Sequence, residues 1–309
     1  MGTPKFSIPV LDYLAHSKNT IVGIVTQPGK PFGRSRKPRE TPITIYAQNS
    51  GIKLLQPKNF RDDEAVDQIA QLAPDIFVIA AYGIILPRSL LSIPKYGAIN
   101  IHPSLLPKYR GPSPVATAIL NGESTTGISF MLLDSGIDTG PVLSQFNEPI
   151  RSNDTTESLT TRLFERGGAL LEDQLSLLEE NKAILNPQNS NEATMTKMLK
   201  KEDGLLDFQM SAETLERKIR AFNPWPGTYT FWSRQMLKIF DVERIPIDKS
   251  VLRPGTVIKW TEGGTTNIAI GTGEELLKLH RVQLAGKILM RAEDFSRGHA
   301  RFEGSVLPT

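Results

Sequence analysis

Three side chains of this sequence could do chemistry together. Asn100 and His102 stand two residues apart in "AINIHPSLLPKYRG", and Asp138 lies between two glycines in "LDSGIDTGPV". An amide, an imidazole and a carboxylate meeting at one point suit acyl transfer. An amine attacks a carbonyl, and the tetrahedral oxyanion needs hydrogen-bond donors, which the Asn100 side-chain NH2 can supply. A carboxylate beside the imidazole fixes its tautomer and raises its pKa. His102 would then donate to the oxyanion and relay the amine's proton, oriented by Asp138. No serine or cysteine nucleophile is required when the donor is already activated. The residues alone also allow plainer roles, since a lone histidine is more often a solvated or satisfied core residue and an aspartate between glycines a turn residue.

Such a trio must be aimed by strands. Open parallel sheets hold ligands at the carboxyl ends of their strands, and both candidate positions follow strand-like runs, residues 96–103 and 125–134. Further apolar β runs read at 20–28, 53–57 and 75–83, with helical spacing at 42–52, 62–74, 114–123 and 155–181. "GTP" at the front reads as a turn into a helix, with Thr3 as N-cap and Pro4 as first helical residue. Alternating strands and helices imply βαβ units, hence a Rossmann-like, doubly wound, mostly parallel sheet. After a polar stretch the texture changes. A helix at 211–222 is followed by five or so short strands with glycine turns, the pattern of a small OB-like β-barrel. The expected domains are 1–184, a linker at 185–203, and 204–309.

Composition narrows the chemistry. The chain has 309 residues, no cysteine and four widely spaced histidines. That removes disulfides and thiolate chemistry and gives no metal-ligand spacing, so no metal is expected. The net charge is only +3, so any basic surface must be local. One such patch is plain. Lys30, Arg34, Arg36, Lys37 and Arg39 precede the first acid of the stretch, Glu40, in a Gly- and Pro-rich loop suited to phosphates. No apolar run approaches the ~18–20 residues of a membrane span, and no signal peptide is visible. A cytoplasmic protein is the plain expectation.

"NIHPSLLPKYRG" followed by "LDSGIDTGPV" resembles the folate-dependent formyltransferases. The resemblance implies that Asn100, His102 and Asp138 are catalytic and that N10-formyltetrahydrofolate is the formyl donor. It places Ser104, Leu105, Leu106 and Pro107 in the folate site, and "AYGIILP" extends it to Tyr82, Gly83, Ile85 and Leu86. An extended, proline-stiffened loop could offer backbone N–H and C=O groups to the pterin edge. The basic loop and "IRAFNPWPGTY" (219–229) imply, by the same resemblance, that the acceptor is methionyl initiator tRNA, making the chain a translation-initiation enzyme and a monomer. Lys30, Arg34, Arg36, Lys37 and Arg39 would meet the tRNA, the barrel would hold its body, and Trp225 between prolines would pack a domain junction. Rival readings are a sugar-amine formyltransferase, a formyltetrahydrofolate hydrolase, or a non-catalytic RNA-binding protein.

Members of that family place a strand before the Gly-Thr-Pro turn, whereas here Met1 falls at that strand's last position. A first strand of a doubly wound sheet is central, so the expectation is a front with two unpaired strand edges.

Overall fold

The computed structural model describes residues 1–31, 38–61, 63–246 and 253–308. Two compact units are present. The first comprises Met1–Pro114, Ser124–Pro149 and Leu159–Lys197, and the second comprises Val115–Glu123, Ile150–Ser158 and Met198–Thr309. The segment read as a linker therefore divides after Lys197.

In the first unit, β1 (Ile24–Val25) is followed by a two-rung ribbon of β2 (Lys30–Pro31) and β3 (Pro38–Arg39). Strand β4 (Leu54–Leu55) pairs in parallel with β1. Strand β5 (Phe77–Ile79) pairs in parallel with β6 (Ala98–His102). Strands β7 (Thr125–Leu132) and β8 (Val142–Pro149) then add antiparallel. The βα pattern makes the front half parallel, but β7, reached through residues 103–124, and β8, reached through residues 133–141, both run antiparallel to their neighbours. Strand β8 had no expectation attached to it, because its polar alternation (Ser144, Gln145, Asn147, Glu148) hides the apolar face.

The helices that precede Lys197 in the chain are α1 (Ile8–Ala15), α2 (Pro42–Ser50), α3 (Asp63–Ala70), α4 (Arg88–Leu91), α5 (Pro114–Leu120), which falls in the second unit from Val115 on, and α6 (Thr156–Glu179). Thr41 caps α2 by accepting the Thr44 N–H, with left-handed Gly51 at its end. Thr3 caps nothing. Its hydroxyl donates to the Tyr82 carbonyl at 3.1 Å, and Lys5–Ser7 forms a 3-10 turn ahead of α1.

All five residues of β6 are buried, as a strand covered on both faces must be. Helix α6 lies against it through Gly167. A Cβ there would meet Ile101 Cγ2 at 2.8 Å, so glycine lets the helix approach the strand that carries the site. The helix buries Leu159, Leu163, Phe164, Leu171, Leu175 and Leu178, a 3.6-residue stripe. The buried Glu148 on β8 is answered by Arg162 at 2.8 Å and Arg166 at 2.7 Å.

At the front, β1–β4 and β5–β8 are two separate sheets. Met1 and Gly2 run between them: Gly2 N–H donates to Val25 O at 3.1 Å, and Ala80 N–H to Met1 O at 2.9 Å. The Met1 amine donates to Val78 O at 2.6 Å, and burial pushes its pKa down to about 5. A cavity of about 350 Å³ lies there, lined by Gly23, Ile24 and Val25 on one side and Phe77 and Val78 on the other.

In the second unit, α7 (Ala212–Ala221) is capped by Ser211, which accepts the Thr214 N–H. The strands are β9 (Thr228–Trp232), β10 (Gln235–Ile245), β11 (Val257–Glu262), β12 (Thr265–Gly271), β13 (Leu276–Leu284) and β14 (Met290–Arg291). They form an antiparallel sheet in the order β11-β12-β13-β10-β9, with β14 on β13. Among the described residues β9 and β11 share no rung, so the pairing is an open path. Its core joins Leu237, Ile239, Ile270, Leu277 and Val282 to Phe295 of α8 (Ala292–Gly298). Trp225 is 60% exposed.

Candidate active site

Strand β6 ends in the candidate residues. Asn100 and His102 are two apart on one strand, so their side chains project to the same face. Asn100 is buried, yet its side-chain amide has no hydrogen-bond partner among the described residues. His102 has 5% of its side chain exposed. Its Nε2 lies 3.0 Å from the Tyr109 carbonyl, and its Nδ1 lies 3.7 Å from Asp138 Oδ2. The same Asp138 oxygen accepts the Gly111 N–H at 2.7 Å. Asp138 itself sits at φ +52°, in the left-handed region, which Asp tolerates better than most residues. The structure thus brings His102 and Asp138 together across 36 positions of sequence.

The electrostatics correct one expectation. Burial pushes the His102 pKa below its ordinary value, and this outweighs the opposing pull of Asp138 and of the Tyr109 carbonyl. The ring is neutral near pH 7. A carbonyl can only accept, so Nε2 carries the proton and Nδ1 turns its lone pair toward the carboxylate. Two acceptors 3.7 Å apart are too far for a hydrogen bond. They are placed to take up and share one incoming proton.

The loop after β6 is held differently from the sequence expectation. Leu106 N–H donates to Ser129 Oγ at 3.0 Å, and Leu106 C=O accepts from Gln145 Nε2 at 2.8 Å. Ser129 Oγ also donates to Ser104 O at 2.7 Å, and Ser104 Oγ donates to Lys108 O at 2.7 Å. Pro107 O accepts from Thr194 N. Most backbone groups foreseen for a pterin edge are therefore already bonded within the protein. Leu106 is buried against Met131 and Val142, while Leu105 is half-buried. Tyr82 and Leu86 lie in the core with Val25, Ile69 and Phe77. Among the described residues the Tyr82 hydroxyl has no partner, and burial pushes its pKa up to about 12. Gly83 holds φ +76°, and Ile85 is 72% exposed. Of these expected folate residues, Ile85 offers the most open apolar surface.

Arg39 is exposed on the β2–β3 ribbon. Arg34, Arg36, Lys37 and the Lys30 side chain lie outside the described residues. The cavities of about 590 and about 350 Å³ are both away from the trio. Among the described residues no cluster of His, Asp and Glu could hold a metal, and no helix is long and apolar enough to cross a membrane.

Sequence reasoning missed the residues that hold the site. Ser129 had a signal, being a lone small polar residue inside the apolar run of β7. Gln145, Arg110, Gln188, Thr194 and Thr196 sit in polar stretches where nothing marks one residue above its neighbours.

Asn100 and His102 lie buried at the end of β6, with Asp138 from the loop after β7 facing the imidazole, on a half-parallel sheet followed by an antiparallel module. The formyl transferase family model matches residues 1–175, and the model of its C-terminal domain matches residues 198–300. The chain belongs to the formyl transferase family. It is 45% identical over 287 residues to the methionyl-tRNA formyltransferase of Chloroflexus aggregans, covering 93% of this chain and 92% of that one. Among solved structures it resembles WlaRD, a sugar 3N-formyl transferase, with a TM-score of 0.64 at 17% identity over 93% of this chain and 97% of that chain. It also resembles HypX from Aquifex aeolicus in complex with tetrahydrofolic acid, with a TM-score of 0.60 at 18% identity. There 83% of this chain is covered, but it spans only 44% of HypX.

Proposed function

We propose that this protein moves the formyl group of N10-formyltetrahydrofolate to the α-amine of methionine on initiator tRNA, for translation initiation. Asn100, His102 and Asp138 carry the reaction. The amine attacks the formyl carbon, and the oxyanion takes the Asn100 N–H in place of the partner that side chain lacks within the protein. The proton lost by the amine passes to the His102–Asp138 pair. As the tetrahedral intermediate collapses, the C–N10 bond breaks and that proton goes to N10, so tetrahydrofolate leaves neutral at nitrogen. The observation that carries this reading is buried Asn100, whose side-chain amide has no hydrogen-bond partner among the described residues, two positions along β6 from a neutral imidazole that faces a carboxylate.

The folate lies along Ser104–Pro107 and Tyr82–Leu86, with Leu105, Gly83 and Ile85 as the accessible part. Lys30, Arg34, Arg36, Lys37 and Arg39 meet tRNA phosphates, which predicts strong salt dependence of tRNA binding. The protein acts as a monomer in the cytoplasm. The test is direct: incubate it with formyl donor and charged initiator tRNA and measure formyl-methionine. Transfer that appears with a free sugar amine and not with the charged tRNA would overturn the acceptor assignment.

A further inference from the structure

Residues 186–196 fall between the two family spans, yet they are stitched onto both loops that shape the site. Asn186 exchanges two backbone hydrogen bonds with Val142, each 2.9 Å. Gln188 Nε2 donates to the carbonyls of Asp138 at 2.9 Å and Gly140 at 2.7 Å. Its Oε1 accepts from Arg110 Nε at 3.0 Å and a terminal guanidinium nitrogen at 2.8 Å. Arg110 is 6% exposed, and among the described residues its side chain has no carboxylate partner. Further on, Thr194 Oγ1 accepts the Tyr109 N–H at 2.8 Å, and Thr194 O accepts the Arg110 N–H at 2.9 Å. Thr196 returns both its N–H (2.7 Å) and its hydroxyl (3.0 Å) to the Arg110 carbonyl.

The bonds fall on strained backbone. Tyr109 at φ +61° and Asp138 at φ +52° are both left-handed, a conformation that persists only where surroundings hold it. Tyr109 supplies the carbonyl that orients His102, and Asp138 supplies the facing carboxylate. Gly111, which donates to that carboxylate, sits at φ +100°, where a Cβ would meet Thr196 Oγ1 at 2.9 Å. Each group that orients His102 is thus pinned by the same segment.

We propose that residues 186–196 form a strap in which Gln188, Thr194 and Thr196 are positioning residues for the His102–Asp138 pair. Gln188 is the central one, coupling the buried Arg110 to the Asp138 loop. This rests on the reading of His102 and Asp138 as the reacting pair.

The decisive variant is Gln188→Glu. Its carboxylate still accepts from Arg110, so the fold keeps its anchor, but it has no N–H for the Asp138 and Gly140 carbonyls. In the formyl-methionine assay, kcat should fall about 10–100-fold while KM for donor and tRNA stays within about twofold. The acid limb of the kcat–pH profile should move to lower pH, because displacing Asp138 leaves burial of His102 less opposed. An unchanged kcat overturns the strap. So does a lower kcat with an unmoved acid limb, which marks a merely structural residue. Thr196→Val, which keeps volume and loses the hydroxyl bond to Arg110, should show the same two changes more weakly, and an unmoved profile there counts against the strap too. His102→Ala in the same assay separates the failures. If it retains full rate, the catalytic reading itself fails; if it is inactive while Gln188→Glu keeps the wild-type kcat and acid limb, the strap alone fails.

Discussion

Among the described residues two histidines face a carboxylate, and the proposed function rests on the pair that lies farther apart. His280 Nε2 lies 3.4 Å from Glu243, with side chains 36% and 52% exposed. His102 Nδ1 lies 3.7 Å from Asp138, with 5% and 16% exposed. Glu243 is also shared with Lys278 at 3.4 Å, so His280 adds little to a charge already answered in water. Exposed pairs of this kind contribute about 0–1 kcal/mol. Among the described residues the Asp138 carboxylate meets only a backbone N–H and the edge of a buried ring, where an interaction is several times stronger than in water. Distance alone ranks these pairs wrongly; burial and the competing partners decide which can move a proton usefully.

The comparison breaks most sharply on activity. His102→Ala should lower kcat by about 10²–10⁴-fold, and His280→Ala should leave it within about twofold, read by formyl-methionine formation. If His280→Ala costs as much, the ranking by burial fails. Asn100→Ala should lower kcat by about 10²–10³-fold, the size of a lost oxyanion donor, with melting little changed because no protein bond is lost. Next comes pH. Burial holds the folded-state pKa of His102 below its unfolded value of about 6.5. The unfolded chain therefore binds the proton first, so this contribution to stability is full above about pH 6.5 and is lost as pH falls below it. Urea midpoints at pH 7.5 and pH 5.5 should separate less in His102→Gln than in the wild type; an equal separation would contradict the assignment. The smallest effect is at the surface. Arg39→Ala should weaken tRNA binding modestly and reduce the salt slope by about one, with kcat unchanged.

The site was legible where residue type and place coincide. Asn100 and His102 stood at the end of an apolar run, and a buried strand ending there was expected and found. The left-handed Asp138 followed from its glycine neighbours only as far as a loop. Its meeting with His102 depends on β6 and β7 pairing antiparallel, which places His102 opposite Ser129 and which periodicity does not reveal. The folate loop misled because its prolines suggested free backbone, whereas Ser129 and Gln145 consume that backbone from strands whose polar residues gave no hint of direction. The strap was least legible. A run of Asn, Gln, Thr and Glu has the composition of a solvated linker, and its bonds to the site loops go to positions 44 to 87 residues away.

The most direct test is a double-mutant cycle on the buried pair, with single-turnover formyl transfer measured for His102→Ala, Asp138→Asn and both together. Two groups that share one proton act as a unit, so the double variant should be no slower than the slower single variant within about twofold. Losses that multiply would mean that His102 and Asp138 act independently, and would contradict the account of how this site moves its proton.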